Sequence, residues 1–255
     1  MTDPQVPQLV GHRGYLARYP ENTRLGLDAA LQAGACWLEF DVQRCADGQF
    51  VLLHDSDLQR TAGDSRSVFE LDSQTLAACS VHEPQRFGNR FAGATVPRLA
   101  AVLEWLTGFP RARAMVEIKA ESPDHWGLEP VMDPLLAQLE PFRDQCVLIS
   151  FSYAAIAFAK QRSRVETGWV LSRYDERHRQ QAQALRPDFL ICNENKLSSQ
   201  WQPWPGPWKW MLYDIIDPQR AMAWAAQGVT LIETADIGAM LQHPLLAGSA
   251  CRHGL

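Results

Sequence analysis

Leu38-Glu39-Phe40-Asp41-Val42 and Phe50-Val51-Leu52-Leu53-His54-Asp55 are two apolar runs that carry acidic side chains. Asp47-Gly48 lies between them and is a typical turn signal, so the two runs predict a β-hairpin. Residues i and i+2 of a strand share a face, so Glu39 and Asp41 point the same way, with His54 expected beside them. Two carboxylates next to an imidazole can form a metal or acid/base site. The alternative is a solvated face of alternating charge, which is less favoured because charges within apolar runs are costly unless paired.

Length and composition fit one large α/β domain. The chain has 255 residues, a hydrophobic fraction of 46% and a formal net charge of -5, as a single (β/α)8 barrel can have. There is no basic stretch to neutralise phosphates, so no nucleic-acid partner is expected. Met1 to Gln8 lacks the features of a signal peptide, and no apolar run reaches the ~18 residues that span a bilayer. We therefore expect a reduced, cytoplasmic protein without a stable membrane anchor; the oligomeric state is left open.

The six cysteines show no CxxC spacing, and several lie in apolar runs, as small buried residues do. Neither a zinc site nor a disulfide framework is predicted for them. They are Cys36, Cys45, Cys79, Cys146, Cys192 and Cys251.

The rest of the chain alternates between strand-like apolar runs and segments of helical periodicity. The predicted barrel strands are Gln8–His12, Trp37–Val42, Ala114–Lys119, Cys146–Ser150, Thr167–Leu171, Phe189–Cys192, Lys209–Tyr213 and Val229–Ile232. The predicted helices run from Asn22 or Thr23 to Ala33, from Pro97 to Trp105, over 131–139, Tyr153–Arg162, Glu176–Leu185 and Pro218–Ala226, and over Ile237–Leu241. Eight β-then-α units in a chain of this length predict a (β/α)8 TIM barrel.

An antiparallel hairpin does not belong in a ring of parallel strands. Residues 44–96 are therefore predicted to be a hairpin and loop insertion after the second strand, within a single domain that spans residues 1–255. The part from 56 to 96 is rich in polar residues, with one short helix predicted from Asp72 to Cys79. Long loops in compact domains are usually functional, so we expect this segment to cover the site.

The active site of such a barrel lies at the carboxyl ends of its strands. Glu117 and Lys119 are placed there, again at i and i+2. Alone, this pair could equally be a surface ion pair. Three carboxylates on adjacent strands can bind one hard divalent cation, and this favours a metal site. The polar residues expected at these strand ends are His12, Arg13, Glu39, Asp41, Glu117 and Lys119, which His54 joins from the hairpin.

An ordered set of motifs through the first half of the chain resembles the glycerophosphodiester phosphodiesterase family, of the cytoplasmic bacterial type. The motifs are His12-Arg13-Gly14, Pro20-Glu21-Asn22-Thr23, Glu39-Phe40-Asp41-Val42, Asp47-Gly48, His54-Asp55, Leu58-x-Arg60-Thr61 and Val116-Glu117-Ile118-Lys119. Pro97-Arg98-Leu99 and Gly228-Val229 followed by Glu233-Thr234 are also similar to the family. Met211 and Tyr213 depart from its Trp-Thr-Val-Asn pattern, which leaves the head-group contacts undetermined.

The resemblance implies a metal-dependent hydrolase that converts glycerophosphodiesters to glycerol 3-phosphate and an alcohol such as choline or ethanolamine. By the same resemblance, Glu39, Asp41 and Glu117 would bind one divalent ion, Mg²⁺ or Ca²⁺. His12 and His54 would be the acid/base pair, and Arg13 and Lys119 would contact the phosphate. Two imidazoles suit this chemistry because they exchange protons near neutral pH. The nucleophile could be water or the glycerol 2-hydroxyl, which would give a cyclic phosphate, and either histidine could be the acid.

Three alternatives remain. A barrel with these carboxylates, a metal and a lysine could be a lyase or aldolase that stabilises an enolate, although the paired histidines favour phosphoryl chemistry. A non-catalytic barrel could bind phosphodiesters without cleaving them. Measuring turnover with and without added metal distinguishes such a binding protein from an enzyme. A membrane-acting phospholipase lacks support because no basic amphipathic anchor is present.

Two other groups of residues are unusual in the sequence. The tryptophan-rich stretch before the seventh barrel strand is read as a packed, stiff loop, with an apolar wall for the substrate as the alternative. It contains Trp201, Trp204, Trp208 and Trp210. No catalytic role is expected of the remaining histidines, which are His82, His125, His178, His243 and His253.

Overall fold

The computed structural model describes residues 6–198 and 201–251. His253 and residues 1–5 of the N-terminal segment lie outside this part. The strands are β1 (Gln8–Gly11), β2 (Trp37–Arg44), β3 (Phe50–Leu52), β4 (Asp57–Leu58), β5 (Asp64–Ser67), β6 (Arg113–Ile118), β7 (Cys146–Ser150), β8 (Glu166–Leu171), β9 (Phe189–Asn193), β10 (Lys209–Tyr213) and β11 (Val229–Thr234).

Eight parallel strands close into a ring in the order β1, β2, β6, β7, β8, β9, β10 and β11, and β11 pairs back onto β1. This confirms the predicted TIM barrel. β3 lies outside the ring, where it pairs antiparallel with the end of β2. The hairpin can coexist with the barrel because it uses only the end of β2, from Val42 to Arg44, beyond the residues that pair with β1.

Helices connect the barrel strands. They are α1 (Arg24–Gln32), α2 (Gln59–Ala62), α3 (Ser73–Ala78), α4 (Pro84–Phe87), α5 (Leu99–Leu106), α6 (Glu121–Trp126), α7 (Leu128–Leu139), α8 (Tyr153–Arg162), α9 (Glu176–Leu185), α10 (Pro218–Ala225) and α11 (Ile237–Gln242). Thr23 caps α1 by accepting a hydrogen bond from the backbone of Gly26, so Asn22 is free for another role. Pro97 does not open α5, because its carbonyl accepts from the Leu52 amide and the helix begins only at Leu99.

Two apolar layers hold the barrel together. Alternate strand residues fill its interior, where Val10, Met115, Ile191 and Leu231 are at most 2% exposed. The other face of each strand packs against the helices in a larger outer core. Full burial of such a side chain contributes roughly 1.5–3 kcal/mol. The period-2 alternation places every second residue of a strand inside the ring, which is how polar residues near a strand's end come to face the barrel mouth.

The insertion has a small apolar core of its own, made of residues such as Val51, Leu58 and Val68. The predicted short helix is present as α3, capped by Asp72. The segment is more ordered than expected, because it also contains the β4–β5 hairpin and two four-residue helices. It docks on the loop after β1, where the Glu83 carboxylate accepts a hydrogen bond of 2.7 Å from the Glu21 amide.

A disulfide joins Cys36 to Cys251, with their Cα atoms 5.1 Å apart. The cysteine spacing did not predict this pair, because 215 residues separate the two and only the barrel brings them together. The expectation of a reduced protein is therefore wrong for this pair of cysteines. Disulfides persist in oxidising compartments and are rare in the cytosol, and the cytoplasmic location stays a prediction. Among the described residues, no helix combines the length and the apolar character needed to cross a membrane.

Candidate active site

A cavity of about 240 Å³ opens at the carboxyl ends of the barrel strands. All seven side chains singled out from the sequence line it: His12, Arg13, Glu39, Asp41, His54, Glu117 and Lys119. Asp214 and Glu233 line it as well. The structure therefore brings together every predicted site residue, although they come from β2 and β6, from the residues just after β1 and β6, and from the hairpin.

The acidic cluster follows from the pairing of β2 with β6. Asp41 lies directly opposite Glu117 in the parallel register, and Glu39 lies one inward position deeper. One oxygen from each of these three carboxylates lies within 4.8 Å of the others. All three side chains are buried. Such a set of carboxylate oxygens suits a hard cation such as Mg²⁺ or Ca²⁺.

Asp41 is the most densely bonded member of the cluster. Its carboxylate accepts a hydrogen bond of 2.9 Å from the Asn22 side chain, whose oxygen accepts in turn from the Asp41 amide at 3.0 Å. Arg13 Nε lies 3.1 Å and Lys119 Nζ 3.5 Å from its oxygens. Burial raises the pKa of Asp41, but Arg13 and Lys119 outweigh it and lower this pKa to about 2. Asp41 is therefore ionised at neutral pH and held in one orientation.

The negative charges of the other two carboxylates, Glu39 and Glu117, are less well balanced by neighbouring positive groups. Burial and the charge of Asp41 raise the pKa of Glu39 well above its usual value and that of Glu117 to about 7. Glu39 accepts a 2.9 Å hydrogen bond from the Arg13 amide, and Glu117 accepts one of 2.9 Å from Lys119 Nζ. Acids with raised pKa values gain from an added positive charge. The cluster thus fits a divalent cation by its electrostatics as well as its donor atoms.

The backbone on the β1 side of the site is unusual. Arg13 and Asn22 have φ angles of 49° and 53°, in the left-handed region that non-glycine residues rarely adopt. Such conformations cost about 1–3 kcal/mol each and persist where the surroundings enforce them. Here the enforcing contacts include the hydrogen bond from the Asn22 amide to the Arg13 carbonyl and those of both residues to the acidic cluster. These contacts stabilise the strained backbone and so hold Arg13 and Asn22 against Asp41.

His12 is buried beside Glu233, with 3.4 Å between His12 Nε2 and Glu233 Oε1. Burial and the neighbouring Arg13 lower the pKa of His12 to about 4, so the ring is neutral at pH 7. The motifs of the sequence include Glu233 but predict no role for it at the site. The signal was available, because Glu233 lies two residues after the inward-facing Leu231 on β11 and is an acid in an apolar run.

His54 enters the cavity from the hairpin and is oriented by its neighbour. Its Nδ1 lies 2.7 Å from the Asp55 carboxylate, which also accepts from Arg60 Nε at 2.8 Å. Arg60 bonds both oxygens of the buried Glu21, at 2.6 and 2.7 Å. Glu21 in turn accepts from Arg13 at 3.0 Å. A continuous chain of charged hydrogen bonds therefore links His54 to Arg13, and it explains why Glu21 and Arg60 occur in the motifs.

The four strands on the far side of the mouth contribute a different surface. Ile149, Val170, Ile191 and Tyr213 line the cavity there, with Phe151 at the edge. The tryptophan-rich stretch does not line this cavity. Trp201, Trp204 and Trp210 pack against each other and Tyr174 in the outer core, which supports the reading of a packed loop.

Comparison with known proteins places the chain in one family. The sequence profile of the Glycerophosphoryl diester phosphodiesterase family matches residues 12–199. A glycerophosphodiester phosphodiesterase of Bacillus altitudinis is 29% identical over 164 residues, which are 63% of this chain and 65% of that protein. One of Caldanaerobacter subterraneus is 28% identical over 153 residues, 60% of this chain and 61% of that protein. The chain thus spans less than two thirds of the length of these curated relatives.

Solved structures share the fold over nearly the whole chain. A putative glycerophosphoryl diester phosphodiesterase from Silicibacter pomeroyi superposes with a TM-score of 0.81 at 23% identity, covering 98% of this chain and 96% of that one. A phosphodiesterase of Oleispira antarctica, solved in complex with the product sn-glycerol-3-phosphate, gives a TM-score of 0.78 at 21% identity over 92% of this chain and 95% of that one. With the profile match extending over well more than half of the sequence, the chain belongs to the glycerophosphoryl diester phosphodiesterase family.

Proposed function

We propose that this protein hydrolyses glycerophosphodiesters to glycerol 3-phosphate and an alcohol, with the whole chain acting as one domain. The observation that carries the proposal is the convergence of two histidines, three buried carboxylates, an arginine and a lysine on one cavity. The curated relatives are named for this activity, and the Oleispira neighbour was solved with sn-glycerol-3-phosphate.

Glu39, Asp41 and Glu117 would hold one divalent ion, Mg²⁺ or Ca²⁺. When bound, it would supply charge neutralisation and polarisation of the phosphate. Arg13 and Lys119 line the same cavity and are already oriented by Asp41, so they would contact the phosphate oxygens. Fixed cations of this kind stabilise the charge that develops on the phosphoryl group without reorganising during the reaction.

His12 and His54 would exchange the protons. The lowered pKa of His12 keeps its ring neutral, which favours the role of proton acceptor for the attacking hydroxyl. Asp55 bonds Nδ1 of His54 and so leaves Nε2 as the atom that can donate to the leaving oxygen. Both a water and the glycerol 2-hydroxyl remain candidates for the nucleophile.

The test is a panel of glycerophosphodiesters incubated with Mg²⁺, with Ca²⁺, or with a chelator, and assayed for released glycerol phosphate. We expect release that requires one of the metals and that the His54→Ala variant largely loses. Binding of the diesters without release under any metal condition would point instead to a non-catalytic barrel. Turnover that persists in the chelator would remove the metal from the proposal.

A further inference from the structure

A second pocket, of about 460 Å³, lies beside the proposed active site. It is formed by residues that follow β7 and β8 and by the start of α9. Phe151 belongs to the walls of both cavities, so the two are neighbours across one side chain. Phe151 is 37% exposed, which is high for a phenylalanine and leaves its ring available to a ligand.

The wall of this pocket is rigid. The Trp169 ring stacks on His178 with centroids 5.6 Å apart, and Tyr153 packs edge-on against Trp169 at 5.3 Å. His178 is fixed by Ser172 at 3.0 Å and by Asp175 at 2.6 Å. Asp175 also caps α9 through the His178 amide. The hydrogen bonds that the Asp175 carboxylate accepts therefore come from His178 of its own helix, and it forms no salt bridge with an arginine of the pocket.

The two arginines of the pocket form no salt bridge within the described part of the chain. Arg173 and Arg177 both line the pocket and are exposed, and neither forms an ion pair with any acidic residue in ranges 6–198 and 201–251. Lys196 adds positive charge at the boundary, since its Nζ lies 5.6 Å from the centroid of Phe151. Lys119 Nζ, which is paired with Asp41 and Glu117, lies 5.9 Å from the same centroid. A guanidinium is planar and bonds phosphate in a bidentate manner.

We propose that this pocket binds the leaving alcohol of the substrate, and that the preferred alcohol carries an anionic group of its own, such as a phosphate. The inference rests on the proposed function, because it takes the reacting phosphate to lie at Arg13 and Lys119. From Lys119 the alcohol would cross the Phe151 ring, and its anion would reach Arg173 and Arg177. The positive lining disfavours a cationic head group such as choline.

A matched pair of substrates tests this: glycerophosphoinositol and glycerophosphoinositol 4-phosphate, which differ by one phosphate, with glycerophosphocholine as the cationic case. We expect the wild-type protein to show a kcat/KM roughly tenfold or more higher on the phosphorylated member, as one charge-assisted hydrogen bond would give. The Arg173→Gln/Arg177→Gln double variant should lose this preference, so that its kcat/KM values on the two inositol compounds become nearly equal.

Arg164→Gln is the matched control. Arg164 is an exposed arginine just before β8, at the opposite end of the strand that Arg173 follows, and it should leave the preference intact. Equal kcat/KM on the two inositol substrates, or a preference that survives the double variant, overturns the inference while the proposed function stands.

A separate measurement keeps the two proposals apart. Calorimetric titration of His54→Ala with both inositol compounds gives their Kd values without turnover. If no diester in the panel is hydrolysed, the proposed function fails, and tighter binding of the phosphorylated compound that needs the two arginines still supports the pocket. Equal Kd values for the two compounds overturn it.

Discussion

The mouth of the barrel has two halves of opposite character. On one side, β2, β6, β11 and the loop after β1 carry charged side chains, of which Glu233, Asp41 and Glu117 are examples. On the other, β7 to β10 contribute Ile149, Val170 and other largely apolar residues. Both halves occupy equivalent positions of the same ring, so the fold does not dictate the difference. Under the proposed function, the charged half would carry out the chemistry and the apolar half would set the shape of the substrate that binds.

The two halves also differ in how strongly their residues depend on each other. Asp41 touches Arg13, Asn22 and Lys119 within 3.5 Å, so removing any one partner leaves a buried charge or polar group uncompensated. An isoleucine in the apolar half has only packing contacts. A substitution in the charged half should therefore disturb several neighbouring residues at once, whereas a substitution in the apolar half should disturb only its own packing contacts.

The largest effect is expected from the histidines of the charged half. His12→Ala and His54→Ala should each lower kcat by ~10²–10⁴-fold, because positioned acid/base groups contribute about that much. Metal affinity, measured by calorimetry, should change little. Ile191→Val, on the apolar side of the same cavity, is the control and should keep a kcat near that of the wild type. Near wild-type rates for both histidine variants on a natural diester would contradict the two-histidine mechanism.

A substrate with a p-nitrophenolate leaving group identifies the two roles, since it needs little protonation. The variant that lacks the proton donor should recover much of its activity on this substrate, whereas the variant that lacks the acceptor should not. With the roles proposed above, His54→Ala is the one that recovers. If only His12→Ala recovers, His12 is the proton donor and His54 the proton acceptor.

The next effect concerns the metal. Asp41→Asn should lower the affinity for Mg²⁺ and Ca²⁺ by at least about tenfold, since even indirect partners of metal ligands contribute 10–100-fold. The fold should persist, which circular dichroism can check. Asp214→Asn is the matched control, because Asp214 lines the same cavity but lies outside the cluster of Glu39, Asp41 and Glu117. Unchanged affinity for both ions would remove Asp41 from the ligand set.

The sequence predicts the charged half well and the apolar half poorly, for a physical reason. Glu39 and Asp41 stand out because carboxylates are costly in an apolar run, and their shared face follows from the strand period. Ile149 and Val170 look like any core residue, and only barrel closure shows that they border a cavity. The number and order of the barrel strands were predictable because buried parallel strands appear in the sequence as apolar runs.

Features that depend on long-range closure were missed. Glu233 faces His12 only because β11 pairs with β1, at the two ends of the chain. The Cys36–Cys251 disulfide has the same origin. The sequence offers both Asn22 and Thr23 as the start of the first helix; in the structure Thr23 takes the cap and Asn22 holds Asp41. Local sequence cannot decide between two adjacent polar residues when a distant carboxylate competes for one of them.

The pH dependence of stability is expected to reveal the burial of His12. The pKa of His12 in the folded protein, about 4, lies below its usual value of 6.5, so between these two values the unfolded state binds the proton and the native state does not. Stability is therefore lost as the pH falls from 6.5 towards 4, by up to about 3 kcal/mol at ~1.4 kcal/mol per pKa unit. Denaturant unfolding of the metal-free protein measures this. His12→Gln should lack this component, and parallel pH profiles for the two proteins would contradict it.

The smallest effect is expected from the insertion, whose outer part touches the charged half only at its rim. His54 is the one residue of the insertion among those that line the cavity, and no lining residue comes from 56–96. The outer part reaches the β1 loop through Arg86, which donates to the Leu16 carbonyl at 2.6 Å, and through Phe91, which packs on Tyr19 at 5.5 Å.

Replacing residues 85–93 by a short glycine–serine link should therefore change the relative kcat/KM among diesters of different length severalfold while leaving the metal affinity unchanged. The metal affinity should not change because the partners of Asp41 lie outside residues 85–93. The selectivity should change because residues 85–93 support the loop after β1, which carries Arg13. Glu83 and Arg60 are retained so that Glu21 keeps its hydrogen bonds. The point variant Phe91→Ala should reproduce part of the change. Identical selectivity in the shortened protein would show that the outer insertion does not shape the substrate site, and an equal loss for all diesters would show that it only supports the charged half.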